Sequence, residues 1–157
     1  MKYRIENLLQ KKLIVLTQKM SILENKTFLL WNSFMKRKDE IKNTIGSDLY
    51  SIQIYKSNYF DGFNPQNEFI KMAGVEVNSF ENIPDGMEAY DLNGGKYAVF
   101  EYKGNPNNGS EAFQYIFQEW LPNSGFSLDN RPHFEVLGEK YKNNSDESEE
   151  EIWIPIK

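Results

Sequence analysis

One carboxylate interrupts an otherwise apolar run near the end of the chain. Glu135 lies in the predicted strand His133–Leu137, and the last predicted strand, Glu151–Ile156, carries Trp153 among isoleucines. Successive side chains of a strand point to opposite faces of the sheet, so Glu135 is expected to point away from the apolar residues on either side of it. We expect Trp153 to lie on the same face as Glu135. An acid beside a large aromatic side chain is typical of a pocket that receives a cation or a hydrogen-bond donor.

The composition excludes several other kinds of site. The chain has no cysteine, which excludes disulfides and thiolate metal centres, and His133 is its only histidine, which excludes a multi-histidine metal site. We therefore predict no metal and no cofactor. Aromatic residues make up 15% of the chain, enough to line a ligand cavity as well as a core.

Charge and hydropathy also limit the partners. No apolar run approaches the length of a membrane span or of a secretory signal, so we expect a cytoplasmic protein with no membrane contact. Residues 1–45 carry ten Lys/Arg against four Asp/Glu, but the basic cluster Lys36–Lys38 is followed at once by two acids. That pattern favours an exposed helix face, and we predict no direct binding of nucleic acid.

Hydrophobic periodicity predicts the order strand, helix, strand, strand, and predicts it twice. A helix capped by Asn25 or Thr27 and ended by Gly46 is expected in the first copy, and a helix ended by Leu121 and Pro122 in the second. Residues 87–92 form a predicted edge or linking strand. The other predicted segments are, in order, strand 13–17, helix 28–45, strands 50–55 and 72–77, strand 97–102, helix 112–120, and strands 133–137 and 151–156.

These elements predict an α+β fold, with duplicated β-α-β-β units that form an antiparallel sheet, two helices and a ligand cleft between the repeats. We expect one domain over residues 1–157, with repeat one at about 3–80 and repeat two at about 86–157. Alignment of the two copies places Gln53 opposite Glu135 and Glu76 opposite Trp153. Branched and aromatic strand residues are expected to face the helices, and the polar or oversized ones to share the other face.

Seven residues are candidates for ligand binding. Trp31 and Trp120 hold matching places in the two predicted helices, as core residues that could also form the cavity floor. Glu76 is either a second pocket acid or an edge-strand charge. The full set is Glu135, Trp153, Trp120, Trp31, Gln53, Tyr55 and Glu76.

With these residues identified, the chain resembles the GyrI-like small-molecule-binding domains, the effector-binding domains of AraC- and MerR-type regulators. The likeness covers nearly the whole chain and is strongest in eight segments: Leu30–Phe34, Tyr50–Tyr55, Ala73–Val77, Ile83–Met87, Gly95–Phe100, Trp120–Gly125, Phe134–Val136 and Glu151–Ile156. The resemblance implies a ligand cavity between the two halves. It also implies that Glu135 corresponds to the pocket glutamate of cationic-drug binders, and Trp153 to the aromatic residue near the chain end.

Three functions follow as hypotheses. The first is a stand-alone domain that binds amphipathic, cationic or aromatic small molecules, in effector sensing or ligand sequestration linked to transcription regulation. The second is a hydrolase of reactive small molecules, in which Glu135 works with Tyr50, Tyr55 or Tyr97. The third is a gyrase-inhibitor-like module that contacts a protein such as a topoisomerase or a regulator through the acidic run 146–151.

Overall fold

The protein is built around one eight-stranded sheet, in which every pair of neighbouring strands is antiparallel. The computed structural model describes all 157 residues. The spatial order of the strands is β1-β6-β8-β7-β3-β4-β2-β5. Their bounds are β1 Lys2–Leu8, β2 Lys11–Met20, β3 Leu49–Ile54, β4 Phe69–Glu76, β5 Glu88–Leu92, β6 Gly95–Lys103, β7 His133–Leu137 and β8 Glu149–Pro155.

The order of the strands is symmetric about the seam between β3 and β7. The units β2-α1-β3-β4 and β6-α2-β7-β8 are the two copies, with helix α1 at Thr27–Arg37 and helix α2 at Gly109–Tyr115. The edge strands are exchanged, because β1 pairs with β6 of the second copy and β5 pairs with β2 of the first. The predicted duplicated α+β fold is thus confirmed. Strand β1 was not predicted, since its alternation is weak.

The first helix is shorter than predicted. The N-cap residue is Lys26, and no side chain caps the helix start, so the predicted cap by Asn25 or Thr27 was wrong. The side chain of Asn25 instead accepts a hydrogen bond from the backbone N–H of Thr27 at 2.9 Å, in the turn that precedes the helix. After Arg37 the chain forms a single 3-10 turn, Lys38–Glu40, and the backbone is already extended at Ile41. The prediction that the helix continues to Gly46 was therefore wrong. The apolar Ile41 that prolonged the helical pattern packs instead in the core beneath α1.

The second helix changes its winding midway. After α2 the chain continues as a π-helical turn, Ile116–Trp120, and ends in a last helical turn, Leu121–Asn123. Single π-helical turns re-aim the side chains that follow them and are frequent beside functional sites. No helix of the protein is long and apolar enough to cross a membrane.

Each helix covers its own half of one sheet face. Leu30 and Phe34 of α1 pack on a cluster in β2 and β4, and Ile116 and Trp120 pack on a cluster in β6 and β8 that includes Ile152. The opposite face carries a third apolar cluster of 11 buried residues, which includes Phe134 and Trp153. The two helix-side clusters leave the middle of their face, above β3 and β7, without a helix.

Strand register corrects the predicted faces. Residues directly opposite each other in an antiparallel pair share a face. Glu135 pairs with Ile152, whose side chain packs beneath α2, so Glu135 points to the helix side. Trp153 pairs with Phe134 on the other side. The expectation that Trp153 shares a face with Glu135 was wrong, as was the expectation that the polar strand residues point away from the helices.

The same register tests the alignment of the two copies. Ser51 pairs with Glu135 and Gln53 with His133, an arrangement in which Gln53 and Glu135 hold equivalent places. Trp153 is opposite Phe134, whereas the equivalent residue Ile52 is opposite Met72. The counterpart of Trp153 is therefore Met72, and the predicted match between Glu76 and Trp153 was wrong.

Substitution of Phe134 tests how much the third cluster contributes to the stability of the protein. Its side chain is 1% exposed, and its ring stacks on that of Trp153 at 5.1 Å between ring centres. Phe134→Ala should lower the free energy of unfolding by roughly 3–5 kcal/mol, the usual cost of a cavity of that size. Urea denaturation followed by circular dichroism measures the loss.

Phe28→Ala is the matched control, because the Phe28 side chain is 79% exposed. Its expected change lies within about 0.5 kcal/mol. If the two substitutions lowered the free energy of unfolding equally, a special contribution of the third cluster to stability would be refuted.

Candidate ligand-binding site

A cleft opens on the helix side of the sheet, in the gap between the two helices. It has two overlapping lobes with volumes of about 750 Å³ and 590 Å³. The larger is called the aromatic lobe and the smaller the polar lobe. Both are lined by Lys71, Ser110, Phe113 and Glu135. Glu135 thus lies where the two lobes meet.

The cleft floor is the seam between β3 and β7. Ser51, Gln53, His133 and Glu135 share this face, because Ser51 pairs with Glu135 and Gln53 with His133. Gln53 is only 6% exposed, and its Nε2 donates a hydrogen bond to Oγ of Ser51 at 3.3 Å. Four polar side chains therefore replace the apolar residues that a sheet normally presents to the helices above it.

Aromatic rings surround the wider lobe. The Tyr55 ring lies 4.5 Å from that of Tyr59 and 5.0 Å, edge to face, from that of His133. Phe60 stacks on His133 at 5.7 Å and on Phe117 at 5.4 Å. Aromatic faces carry partial negative charge and favour a cation or a second ring.

Two irregular segments bring these rings together. Tyr59 and Phe60 belong to the β3–β4 connection, residues 55–68, and Phe117 belongs to the π-helical turn after α2. The stacked pair Phe60–Phe117 joins the connection to that turn across the top of the lobe. The π-helical winding is therefore part of what aims Phe117 into the cleft.

His133 is held neutral by its surroundings. It is 5% exposed, and burial lowers the pKa of its imidazole to about 4. At neutral pH it therefore contributes a flat, uncharged ring to the aromatic lobe. The protein has no cluster of three or more His, Cys, Asp or Glu residues placed to hold a metal ion.

A second carboxyl lies beside Glu135. Glu150 lines the polar lobe, and its Oε2 is buried with no hydrogen-bond partner. Burial, followed by the negative charge of Glu135, raises the pKa of the Glu150 carboxyl, while the positive charge of Lys71 opposes that rise. The raised pKa favours the protonated form of Glu150 at neutral pH. The central charges of the cleft are then those of Glu135 and Lys71.

Four of the seven candidate residues line the cleft. Glu135 lies in both lobes, Gln53 and Tyr55 in the aromatic lobe, and Trp31 in the polar lobe. Burial raises the pKa of Tyr55 far above that of a free phenol, so its hydroxyl stays neutral. Three tyrosines were considered as catalytic partners of Glu135. Only Tyr55 lies on the same face of the sheet as Glu135, because Tyr50 and Tyr97 belong to the cluster on the opposite face.

The other three candidates lie elsewhere. Trp120 ends the π-helical turn after the second helix, and its side chain is buried in the apolar cluster with Phe100. Glu76 and Trp153 line a separate cavity on the opposite face of the sheet. The structure therefore does not bring Trp120, Glu76 or Trp153 to Glu135.

Sequence reasoning missed Glu150, Lys71, Phe60 and Phe117. Glu150 lies two residues before Ile152 and shares its face, a signal hidden by the surrounding acidic run. That run is not one exposed surface, because β8 begins at Glu149. Lys71 alternates with Ala73 on β4 in the same way.

Comparison with known proteins decides the family. The model of the GyrI-like small molecule binding domain matches residues 1–157. The chain belongs to this family. The GyrI-like domain is a small-molecule-binding domain, and the cleft between its helices is the candidate site.

A GyrI-like relative is the transcriptional regulator BrlR of Pseudomonas aeruginosa, 30% identical over 129 residues that cover 81% of this chain and 45% of the relative. The chain thus spans about half the length of that curated relative.

Two solved structures share the GyrI-like fold. SAV2435 bound to tetraphenylphosphonium superposes with a TM-score of 0.72 at 20% identity, covering 100% of this chain and 94% of that one. EcmrR, in a cryo-EM complex with DNA, gives a TM-score of 0.72 at 15% identity, covering 99% of this chain and 57% of that one.

The lowered pKa of His133 predicts a stability that depends on pH. The unfolded chain takes up a proton near pH 6.5, but the folded protein does so only near pH 4. Stability contributed by neutral His133 is complete above pH 6.5 and is lost as pH falls toward 4. Between pH 7 and pH 4.5 the wild type should lose about 2–3 kcal/mol more than His133→Phe. Urea unfolding of both proteins at the two pH values measures this difference, and parallel pH profiles would contradict it.

Proposed function

We propose that this GyrI-like domain binds amphipathic aromatic cations in the cleft between its helices. The observation that carries the proposal is the position of Glu135, a carboxylate common to both lobes and adjoining a cage of stacked rings. The cage supplies the area that a large aromatic ligand buries. Glu135 supplies the opposite charge.

The aromatic rings would allow the cleft to bind ligands of different shapes. Tyr55, Phe60, Phe117 and His133 present ring faces and edges at several angles, and none of them supplies a charge at neutral pH. Ring faces attract cations and other rings without strict directional demands. A ligand such as tetraphenylphosphonium, with which SAV2435 was solved, has four phenyl groups around one delocalised positive charge and matches this combination.

Charge balance sets the preference for cations. Lys71 lines both lobes and is the internal positive group of the cleft, while Glu135 and Glu150 are its two acids. With Glu150 protonated, an entering cation interacts with one carboxylate and one ammonium. Ionisation of Glu150 as the ligand enters would add a second negative charge and strengthen the attraction.

In the cell, we propose that this binding serves effector sensing or sequestration of toxic cations. The relative BrlR is a transcriptional regulator, which supports a link between ligand occupancy and gene control. Contact with nucleic acid would come from another chain or segment, since the cleft carries acids and aromatic rings rather than a basic surface.

The substitution Glu135→Gln tests the charge preference. It removes the negative charge and keeps the size of the side chain. We expect tetraphenylphosphonium to bind about tenfold more weakly, while the neutral triphenylphosphine oxide changes by less than about twofold. Isothermal titration calorimetry measures both affinities.

Glu88→Gln is the matched control, because Glu88 is an exposed residue of edge strand β5 far from the cleft in the sheet order. It should leave both affinities unchanged. If Glu135→Gln weakened the cation and the neutral ligand equally, selection of charge by Glu135 would be refuted.

The raised pKa of Glu150 leads us to expect that cation binding releases protons. Its pKa is raised in the free protein, and a bound positive charge favours its ionised form and so lowers that pKa again. At pH 8 the binding of tetraphenylphosphonium should release up to about one proton, and affinity should rise between pH 6 and pH 8. Calorimetry in phosphate and in Tris, whose ionisation enthalpies differ, counts the protons. Glu150→Gln should bind without proton release, and an unchanged release in that variant would exclude Glu150 as the source.

A further inference from the structure

A second cavity lies on the opposite face of the sheet, with a volume of about 510 Å³. The connection from β1 to β2 covers one side of it, and β3, β7 and β8 form its base. None of its lining residues is shared with the cleft. The two faces are separated by the thickness of the sheet, so a molecule in one cavity cannot touch the other.

One of the residues that line this second cavity is the buried tyrosine Tyr50. Tyr50 is 4% exposed and lines the cavity, and its hydroxyl makes no hydrogen bond within the protein. The hydroxyl oxygen is not among the fully buried atoms that lack a partner, so it is accessible from the cavity, and a molecule there can complete its hydrogen bonding. The hydroxyl can donate and accept, so it suits a ligand that carries a polar head.

The charges around Tyr50 indicate which charge the polar head of the ligand carries. Burial raises the pKa of the Tyr50 hydroxyl, and the nearby carboxylates of Glu76, Asp48 and Glu151 raise it further. The cavity lining contains four acids, counting Glu6, and one lysine, Lys11. The negative excess excludes an anionic ligand and favours a cation.

The existing ion pairs leave one acid free. Glu76 accepts from Lys11 at 3.2 Å, and Glu151 accepts from Arg4 at 2.7 Å and from the indole N–H of Trp153 at 3.1 Å. Asp48 is exposed and takes part in no ion pair. An ammonium group placed between Asp48 and the Tyr50 oxygen would therefore find two unused acceptors.

The apolar part of the lining defines the rest of the ligand. Phe134 and Trp153 lie parallel within 19° and both line the cavity beside Tyr50. We propose that this cavity is a second ligand site, for a compact aryl-alkyl primary ammonium whose head binds Tyr50 and Asp48 and whose ring lies against Trp153. It differs from the cleft, which is larger and in which aromatic rings surround the wider lobe.

Phenethylamine is the probe, with 2-phenylethanol as its neutral counterpart. The indole N–H signal of Trp153 in a two-dimensional ¹⁵N NMR spectrum, assigned with Trp153→Phe, reports on this cavity. Titration with phenethylamine should shift that signal to saturation, and 2-phenylethanol should bind more weakly. Tyr50→Phe should weaken phenethylamine roughly tenfold, the factor for one hydrogen bond to a charged donor, and Asp48→Asn should weaken it as well.

The cleft provides the matched control. Glu135→Gln should leave the phenethylamine titration of Trp153 unchanged, and Tyr50→Phe should leave tetraphenylphosphonium binding unchanged. The second site would be overturned by an unmoved Trp153 signal, by wild-type affinity in both Tyr50→Phe and Asp48→Asn, or by loss of the Trp153 response in Glu135→Gln. Because Asp48 is exposed, its variant tests the site even if Tyr50→Phe disturbs folding.

Discussion

The pairing of β3 with β7 is the interaction on which the rest of the structure depends. It is the only strand pairing that joins the two four-stranded halves of the sheet. Its register places Phe134 in the apolar cluster on one face and Glu135 in the cleft on the other. A slip of one residue would bury a carboxylate in the cluster and turn an aromatic ring toward the cleft, at a cost of several kcal/mol. The polar cleft floor is thus fixed by the same register that completes the core.

The cleft exists because two helices cannot cover eight strands. Each helix buries the apolar residues of its own copy, and the seam between the copies receives neither helix. Residues at the seam are therefore free to be polar without disturbing a helix–sheet contact. The aromatic rings that close the cleft come from irregular segments, the connection 55–68 and the π-helical turn, which regular helix packing does not constrain.

Much of the fold follows from local patterns, whereas the composition of the site depends on strand register. Alternation within β7 places Glu135 apart from Phe134, and helical spacing locates both helices, so those features could be predicted. Which strand faces which, and at what offset, is set by hydrogen bonds between distant residues. For that reason Trp153, which alternates correctly within β8, was placed on the wrong face. Glu150 and Lys71 escaped notice because a charged residue next to a loop has no local signal that distinguishes solvent from cleft.

The charge arrangement also constrains what the cleft can do as a receptor. Lys71 and Glu135 balance each other when Glu150 is protonated, so the empty cleft carries little net charge and escapes the penalty of an isolated buried carboxylate. In the proposed function, a cation that enters would favour release of the Glu150 proton to solvent, so the second negative charge would arise only when the ligand is bound. A fixed pair of ionised acids would attract cations more strongly but would destabilise the empty domain. A proton held on Glu150 therefore lets the proposed receptor stay folded without ligand and still respond to positive charge.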